Sequence, residues 1–130
     1  MLIVDEIVIE ALIREAAEAH PHECCGILYG ASGHIARAQA TANVHSDPAR
    51  HFEIDPQALL DAHRSARVGG ARVAGYYHSH PNGRAAPSGT DRASASGDGR
   101  VWAIVASGEV TFWRDDPGGF RALSYTVRPG

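Results

Sequence analysis

Apolar positions recur every three to four residues over residues 5–19. Val8, Leu12, Ala16 and Ala19 line one side, while Glu6, Glu10, Arg14 and Glu18 fill the other. This spacing predicts a helix, closed by Pro21 because the residue before a proline is pushed out of helical backbone. The next apolar run, Gly26-Ile27-Leu28-Tyr29-Gly30, is short and unbroken, as in a buried strand. Residues 34–41 are expected to pair with it across Ala31-Ser32-Gly33. Residues 42–50 are polar and read as a loop, and Phe52 to Ile54 reads as a short strand. Asp55-Pro56 has the form of a helix start, with Asp as the cap and Pro at the first helical position. That helix is expected to run to about Val68 and to stop at Gly69-Gly70.

Farther along, residues 72–80 are expected to form a strand and Ser88 to about Ser96 a short helix. Residues 101–106, 109–114 and 120–127 read as three closing strands, with Gly108 and Asp116-Pro117-Gly118-Gly119 at the turns. Helices mixed with mostly meandering strands point to an α+β class, or α/β with a mixed sheet.

Composition narrows this picture. The chain has 130 residues, the size of one ordinary domain. Its apolar fraction is 44%, but 22 of those residues are alanine, so a single lean core is expected. All 12 basic residues are arginine and the net charge is −3, which argues against broad electrostatic binding to nucleic acid or to an anionic membrane. No apolar run approaches the roughly 20 residues of a membrane span, and the first residues lack the basic and apolar regions of a signal peptide. A cytoplasmic location is therefore expected. The two cysteines, Cys24 and Cys25, are adjacent, so a disulfide framework is not expected and a reducing compartment is consistent.

The chemistry concentrates in His78-Ser79-His80-Pro81 and in Ser88-Gly89-Thr90-Asp91. In a strand, residues i and i+2 share a face with Cα atoms roughly 6.5 Å apart, so two imidazoles can converge on one ion. Asp91 falls in the first turn of the next helix and supplies a third ligand. Three protein ligands plus a water describe a catalytic zinc, whereas structural zinc sites fill all four positions. Taken alone, Ser88-x-x-Asp91 is also an ordinary helix cap, and His-x-His is a common strand pairing. Glu23 stands between the first helix and the first apolar strand. A carboxylate beside a zinc-activated water can take its proton and pass it to a leaving amine; by position alone, Glu23 also reads as a solvated loop residue.

Together, Glu23, His78-x-His80-Pro81, six residues, then Ser88-x-x-Asp91 resemble the JAMM motif of the MPN-domain metalloproteases. Pro87-Ser88 and His22-Glu23-Cys24-Cys25-Gly26-Ile27-Leu28-Tyr29-Gly30 are similar to that family as well. The likeness runs over nearly the whole chain and implies one MPN (JAMM) domain over residues 1–130, with a mixed, mostly antiparallel sheet flanked by helices. It further implies one zinc ion per chain on His78, His80 and Asp91, with Glu23 as general base and then acid. Ser88 would hydrogen-bond the developing oxyanion. The family hydrolyses amide or isopeptide bonds at the C-terminus of ubiquitin or a ubiquitin-like protein. With room for only one short helix between Asp91 and Trp102, the chain resembles the compact bacterial type. The expected partner is thus a small β-grasp ubiquitin-like or sulfur-carrier protein with a Gly-Gly tail, the tail adding as a strand beside a sheet edge.

Two other readings remain open. A zinc-free MPN domain is a binding scaffold. A thiol enzyme would use Cys24 or Cys25 with His20, His22 or His51 as base. The RadC-like proteins share a similar His-x-His-Pro and Ser-x-x-Asp arrangement, but the acidic balance gives a DNA-linked role no support. His34, His45 and His63 read as surface residues, Arg84 as a solvated loop residue, and Trp102 and Trp113 as core or half-buried. His51 reads as a possible flank of a substrate groove. Composition does not define the oligomeric state.

Overall fold

The structure is a computed structural model describing residues 1–129. Eleven elements follow one another: β1 (Leu2–Asp5), α1 (Glu6–Ala19), β2 (Cys25–Ala31), β3 (His34–Thr41), α2 (Pro56–Arg67), β4 (Val73–Ser79), α3 (Gly89–Ser94), β5 (Val101–Ala106), β6 (Glu109–Asp116), β7 (Gly119–Leu123) and β8 (Tyr125–Arg128). All eight strands join one sheet in the order β7-β6-β5-β4-β2-β3-β1-β8. The β2–β3, β2–β4, β5–β6 and β6–β7 pairs are antiparallel. The β1–β3, β1–β8 and β4–β5 pairs are parallel. This is the mixed sheet flanked by helices that the sequence implies.

Strand alternation sorts the side chains onto two faces. Leu28 of β2, Tyr77 of β4 and Ala103 and Val105 of β5 pack with Val8 and Leu12 of α1 on one face. Ile27 and Tyr29 of β2 meet Ala62 and Leu59 of α2 and Tyr76 of β4 on the other. The apolar stripe read for α1 is the one it buries: Val8 and Leu12 are enclosed, and Ala16 and Ala19 pack against the same cluster. All six residues of β5 are buried, because it lies between β4 and β6 with both faces covered. Tyr77 is wholly enclosed, and its hydroxyl donates to Glu15 Oε1 at 2.6 Å, joining the central strand to α1.

Several expectations change. Leu2–Asp5 is a strand, not anticipated, and gains its structure from parallel partners on both sides, β3 and β8. Phe52 to Ile54 is not a strand; only an isolated bridge links Ile54 to Asn43. Residues 120–127 form two strands, β7 and β8, which lie at opposite edges of the sheet. α3 stops at Ser94, and β4 ends at Ser79, one residue before His80. The α2 cap is as expected: Asp55 accepts from the Gln57 N–H at 3.1 Å, and Pro56 opens the helix.

Gly75 fixes the closeness of β4 and β5. A Cβ there would collide with the backbone of Val101. Gly75→Ala should therefore destabilise the fold by about 2 kcal/mol or more, seen as a lower denaturant midpoint with little change in slope.

Candidate metal and hydrolytic site

The same alternation that fills the core builds the site. Tyr76 faces α2, so His78, two residues on, faces the same side. His78 pairs across the sheet with Cys25 of β2 and Ile104 of β5. His80 lies just past the strand, but its N–H donates to the Val105 carbonyl at 2.8 Å, so the backbone stays in register for one more residue. Asp91 reaches the pair from the start of α3. There Ser88 Oγ accepts from the Asp91 N–H at 3.0 Å, and Asp91 Oδ2 accepts from the Ser88 N–H at 3.0 Å. This reciprocal cap fixes where the carboxylate points. The helix cap and the ligand reading of Ser88-x-x-Asp91 are therefore compatible.

The three side chains converge. His78 Nε2 lies 2.9 Å from Asp91 Oδ1, His80 Nε2 lies 3.1 Å from Asp91 Oδ2, and the two Nε2 atoms are 3.1 Å apart. One donor atom from each lies within 4.8 Å of the others. The chemistry of the donors fits a metal ion. The Arg84 carbonyl accepts from His80 Nδ1 at 2.8 Å, so Nδ1 keeps a proton and Nε2 is the nitrogen that would turn ligand on losing the one it shares with Asp91. Burial lowers the pKa of His78, which favours the neutral imidazole that binds metals. Burial also acts to lower His80, but hydrogen bonds to Asp91 and the Arg84 carbonyl outweigh it and the net shift is upward. Burial acts to raise Asp91, yet the hydrogen bonds of both histidines and the Ser88 N–H hold it well below the carboxylate range, so it is ionised. Once an ion replaces the protons shared with Asp91, two imidazoles and one carboxylate would make an open three-ligand set of the kind zinc occupies in hydrolytic sites.

Glu23 is buried at 7% exposure, not a solvated loop residue. It shares a groove with His80, Ser88 and Asp91. Burial pushes its carboxyl up to about 7; the nearby His80 opposes this and Asp91 adds to it. Ser88 Oγ is used as an acceptor by the cap, so its O–H remains free to donate. The groove encloses about 880 Å³, the size of a site for an extended peptide or small ligand. Its lining includes residues 49–54, Pro56 and Leu59, and residues 80–84 and 86–88 of the segment after β4. Neither edge strand, β7 nor β8, contributes a lining residue.

Residues 5–116 match the family described as prokaryotic homologs of the JAB domain. The chain belongs to this family. It is similar to the desampylase of Haloferax volcanii, at 36% identity over 117 residues, 86% of this chain and 83% of that protein. It is 38% identical over 80 residues, 62% of this chain and 51% of the other, to a probable TtuB-protein conjugate cleaving protease of Thermus thermophilus. Its fold is shared with a JAB1/MPN domain protein of Archaeoglobus fulgidus, at TM-score 0.62 and 17% identity, covering 98% of this chain and 96% of that one.

Within this JAB-domain protein, two aromatic residues frame the cluster in a way the sequence reading missed. Phe52 stacks on the His78 ring, with centroids 4.2 Å apart and planes 16° from parallel, and Trp102 meets His78 edge-on at 5.7 Å. Phe52 is the one Phe, Tyr or Trp of the 42–53 stretch, and that is the signal that could have pointed to it. Arg84 is exposed, and its contact with the cluster comes from its backbone carbonyl. His51 lines the groove, whereas His63 is half-buried against the Tyr76 hydroxyl at 3.0 Å and His34 pairs with Asp5 at 2.8 Å. Both cysteines are buried, and burial raises the Cys24 thiol to about 11. The Cys25 sulfur meets Thr41 Oγ1 and the Ala42 carbonyl, with no imidazole among its hydrogen-bond partners. These surroundings disfavour a thiolate and so the thiol-enzyme reading.

The raised carboxyl of Glu23 has a cost in stability. With an unfolded value of 4.5 and a folded value of about 7, the folded metal-free chain holds the proton more tightly. Its stability should fall as pH rises between those values, by at most about 3 kcal/mol. Glu23→Gln should remove that slope and make the metal-free protein more stable than wild type at pH 8, measured by urea unfolding.

Proposed function

We propose that this chain is a zinc-dependent peptidase that hydrolyses the bond after the C-terminal Gly-Gly of a small ubiquitin-like, sulfur-carrier type protein, including isopeptide conjugates. The observation that carries the reading is the convergence of His78, His80 and Asp91, the last two lining one groove with a buried carboxyl, Glu23, whose pKa is shifted toward neutrality. Groups tuned in this way are suited to proton transfer at physiological pH. The desampylase and conjugate-cleaving names of its relatives support the substrate class.

His78, His80 and Asp91 would hold the ion. When bound, zinc supplies Lewis acidity, making water a nucleophile near neutral pH and polarising a carbonyl. Glu23 takes the proton of the attacking water as the new C–O bond forms. The Ser88 hydroxyl donates to the oxygen that gains charge at the scissile carbon. Glu23 then delivers the proton to the departing nitrogen as the C–N bond breaks, releasing an amine and the carrier carboxylate. Phe52 and Trp102 limit the freedom of the His78 ring and exclude water from that side. An extended tail would lie in the groove lined by residues 49–54 and 80–84, and glycines at its end would present backbone without side chains to the cluster.

Fusions of Gly-Gly-ended carriers extended by a short peptide should be cut, and a chelator should stop the cutting. Absence of cleavage across a panel of such carriers would remove the substrate claim. His80→Ala should lose stoichiometric zinc in metal analysis. Glu23→Gln should keep zinc while losing at least about 100-fold in kcat, since only the proton carrier is removed; wild-type turnover by that variant would refute the assignment of the base.

A further inference from the structure

Glu23 precedes β2, and its backbone groups bond outside the sheet ladder. Its N–H donates to the Pro48 carbonyl at 2.8 Å, and its carbonyl accepts from Asn43 Nδ2 at 3.0 Å. Both partners belong to the irregular segment 42–55. The Asn43 carboxamide makes three more bonds: Nδ2 donates to the His51 carbonyl at 3.0 Å, and Oδ1 accepts from the His45 and Glu53 N–H groups, each at 3.1 Å. Two of its partners are carbonyls that can only accept, and two are N–H groups that can only donate. This fixes the orientation of the amide and uses two donors and two acceptors on one side chain, a set that no other residue of that size offers.

The residues so held are functional in position. His51 and Glu53 flank Phe52, whose ring lies on His78. The Asn43 backbone bridges Ile54, and the Val44 N–H donates to the Glu53 carbonyl at 2.9 Å, closing the base of the segment. One amide thus joins the backbone of Glu23 to the groove wall that packs against a member of the metal cluster.

From this geometry we infer that Asn43 is a positioning residue. Its carboxamide sets the distance of Glu23 from the His78-His80-Asp91 cluster and so governs the proton-transfer step. The inference rests on the role proposed above for Glu23. The Asn43 side chain bonds to Glu23, His45, His51 and Glu53 and not to His78, His80 or Asp91, so metal binding is separable from its effect.

The test compares Asn43→Ala and Asn43→Asp with wild type, as zinc-loaded chains acting on a Gly-Gly-ended carrier extended by a short peptide. Both variants should keep one zinc per chain. Their kcat should fall roughly 10- to 100-fold, as expected for a misplaced catalytic group, with KM changed less than about threefold. In the metal-free Asn43→Ala protein, amide exchange should quicken at His45 and Glu53, which donate to the lost oxygen, and stay unchanged in β4 and β5. In a Glu23→Gln background, Asn43→Ala should cause no further loss, because the step it serves is already gone. Should Asn43→Ala fail to fold, Asn43→Asp retains the volume and both acceptor bonds while losing the donors to Glu23 and His51, and carries the same expectation. A folded variant with kcat within about twofold of wild type, or an undiminished loss in the Glu23→Gln background, overturns the inference. Wild-type turnover by Glu23→Gln alone would instead overturn the base assignment on which it rests.

Discussion

The Asp91 carboxylate is the interaction on which the site depends. It is 3% exposed, and each oxygen is engaged: Oδ1 by His78, Oδ2 by His80 and by the Ser88 N–H. A buried negative charge without such partners would be strongly destabilising. Here the partners come from different elements, so satisfying the charge also draws the start of α3 against the end of β4. The short helix has little apolar surface of its own, and Asp91 is its only buried residue. Its placement is therefore an electrostatic matter more than one of packing.

The rest of the site follows from where β4 lies in the sheet. β4 is flanked by antiparallel β2 and parallel β5, so its register is pinned on both sides. A slip of one residue would turn Tyr77 out of the α1 core and send His78 to the wrong face. Packing of Tyr77 and Leu28 on α1 thus aims the two imidazoles, and the Gly75 approach to Val101 keeps β5 close enough for Trp102 to meet His78. Stability and chemistry are joined by strand periodicity.

That periodicity is also why much of the molecule was legible in sequence. α1 announces its buried stripe, α2 its Asp-Pro start, and His78-x-His80 its shared face, because each of these is a local rule with a fixed spacing. The strand Leu2–Asp5 was not legible: it is four residues long and acquires its structure from partners distant in sequence, among them β8. The same holds for Phe52 to Ile54, where an apolar alternation suggested a strand but the ladder partners are taken up by an asparagine side chain and one bridge. Glu23 was visible as a residue but not as a buried one. Its enclosure comes from the 42–55 segment folding over it, through contacts that span some 20 to 25 positions of chain.

This segment has little regular structure yet is not loose. Its backbone groups are bound by Asn43 and by one another, which allows an irregular wall to hold a carboxyl in a poorly hydrated place at a cost in free energy. A regular strand there would spend its N–H and C=O groups on ladder partners and leave none to grip Glu23. The groove also lies away from the sheet edges, since neither β7 nor β8 lines it, so the irregular segment and not an edge strand forms its side.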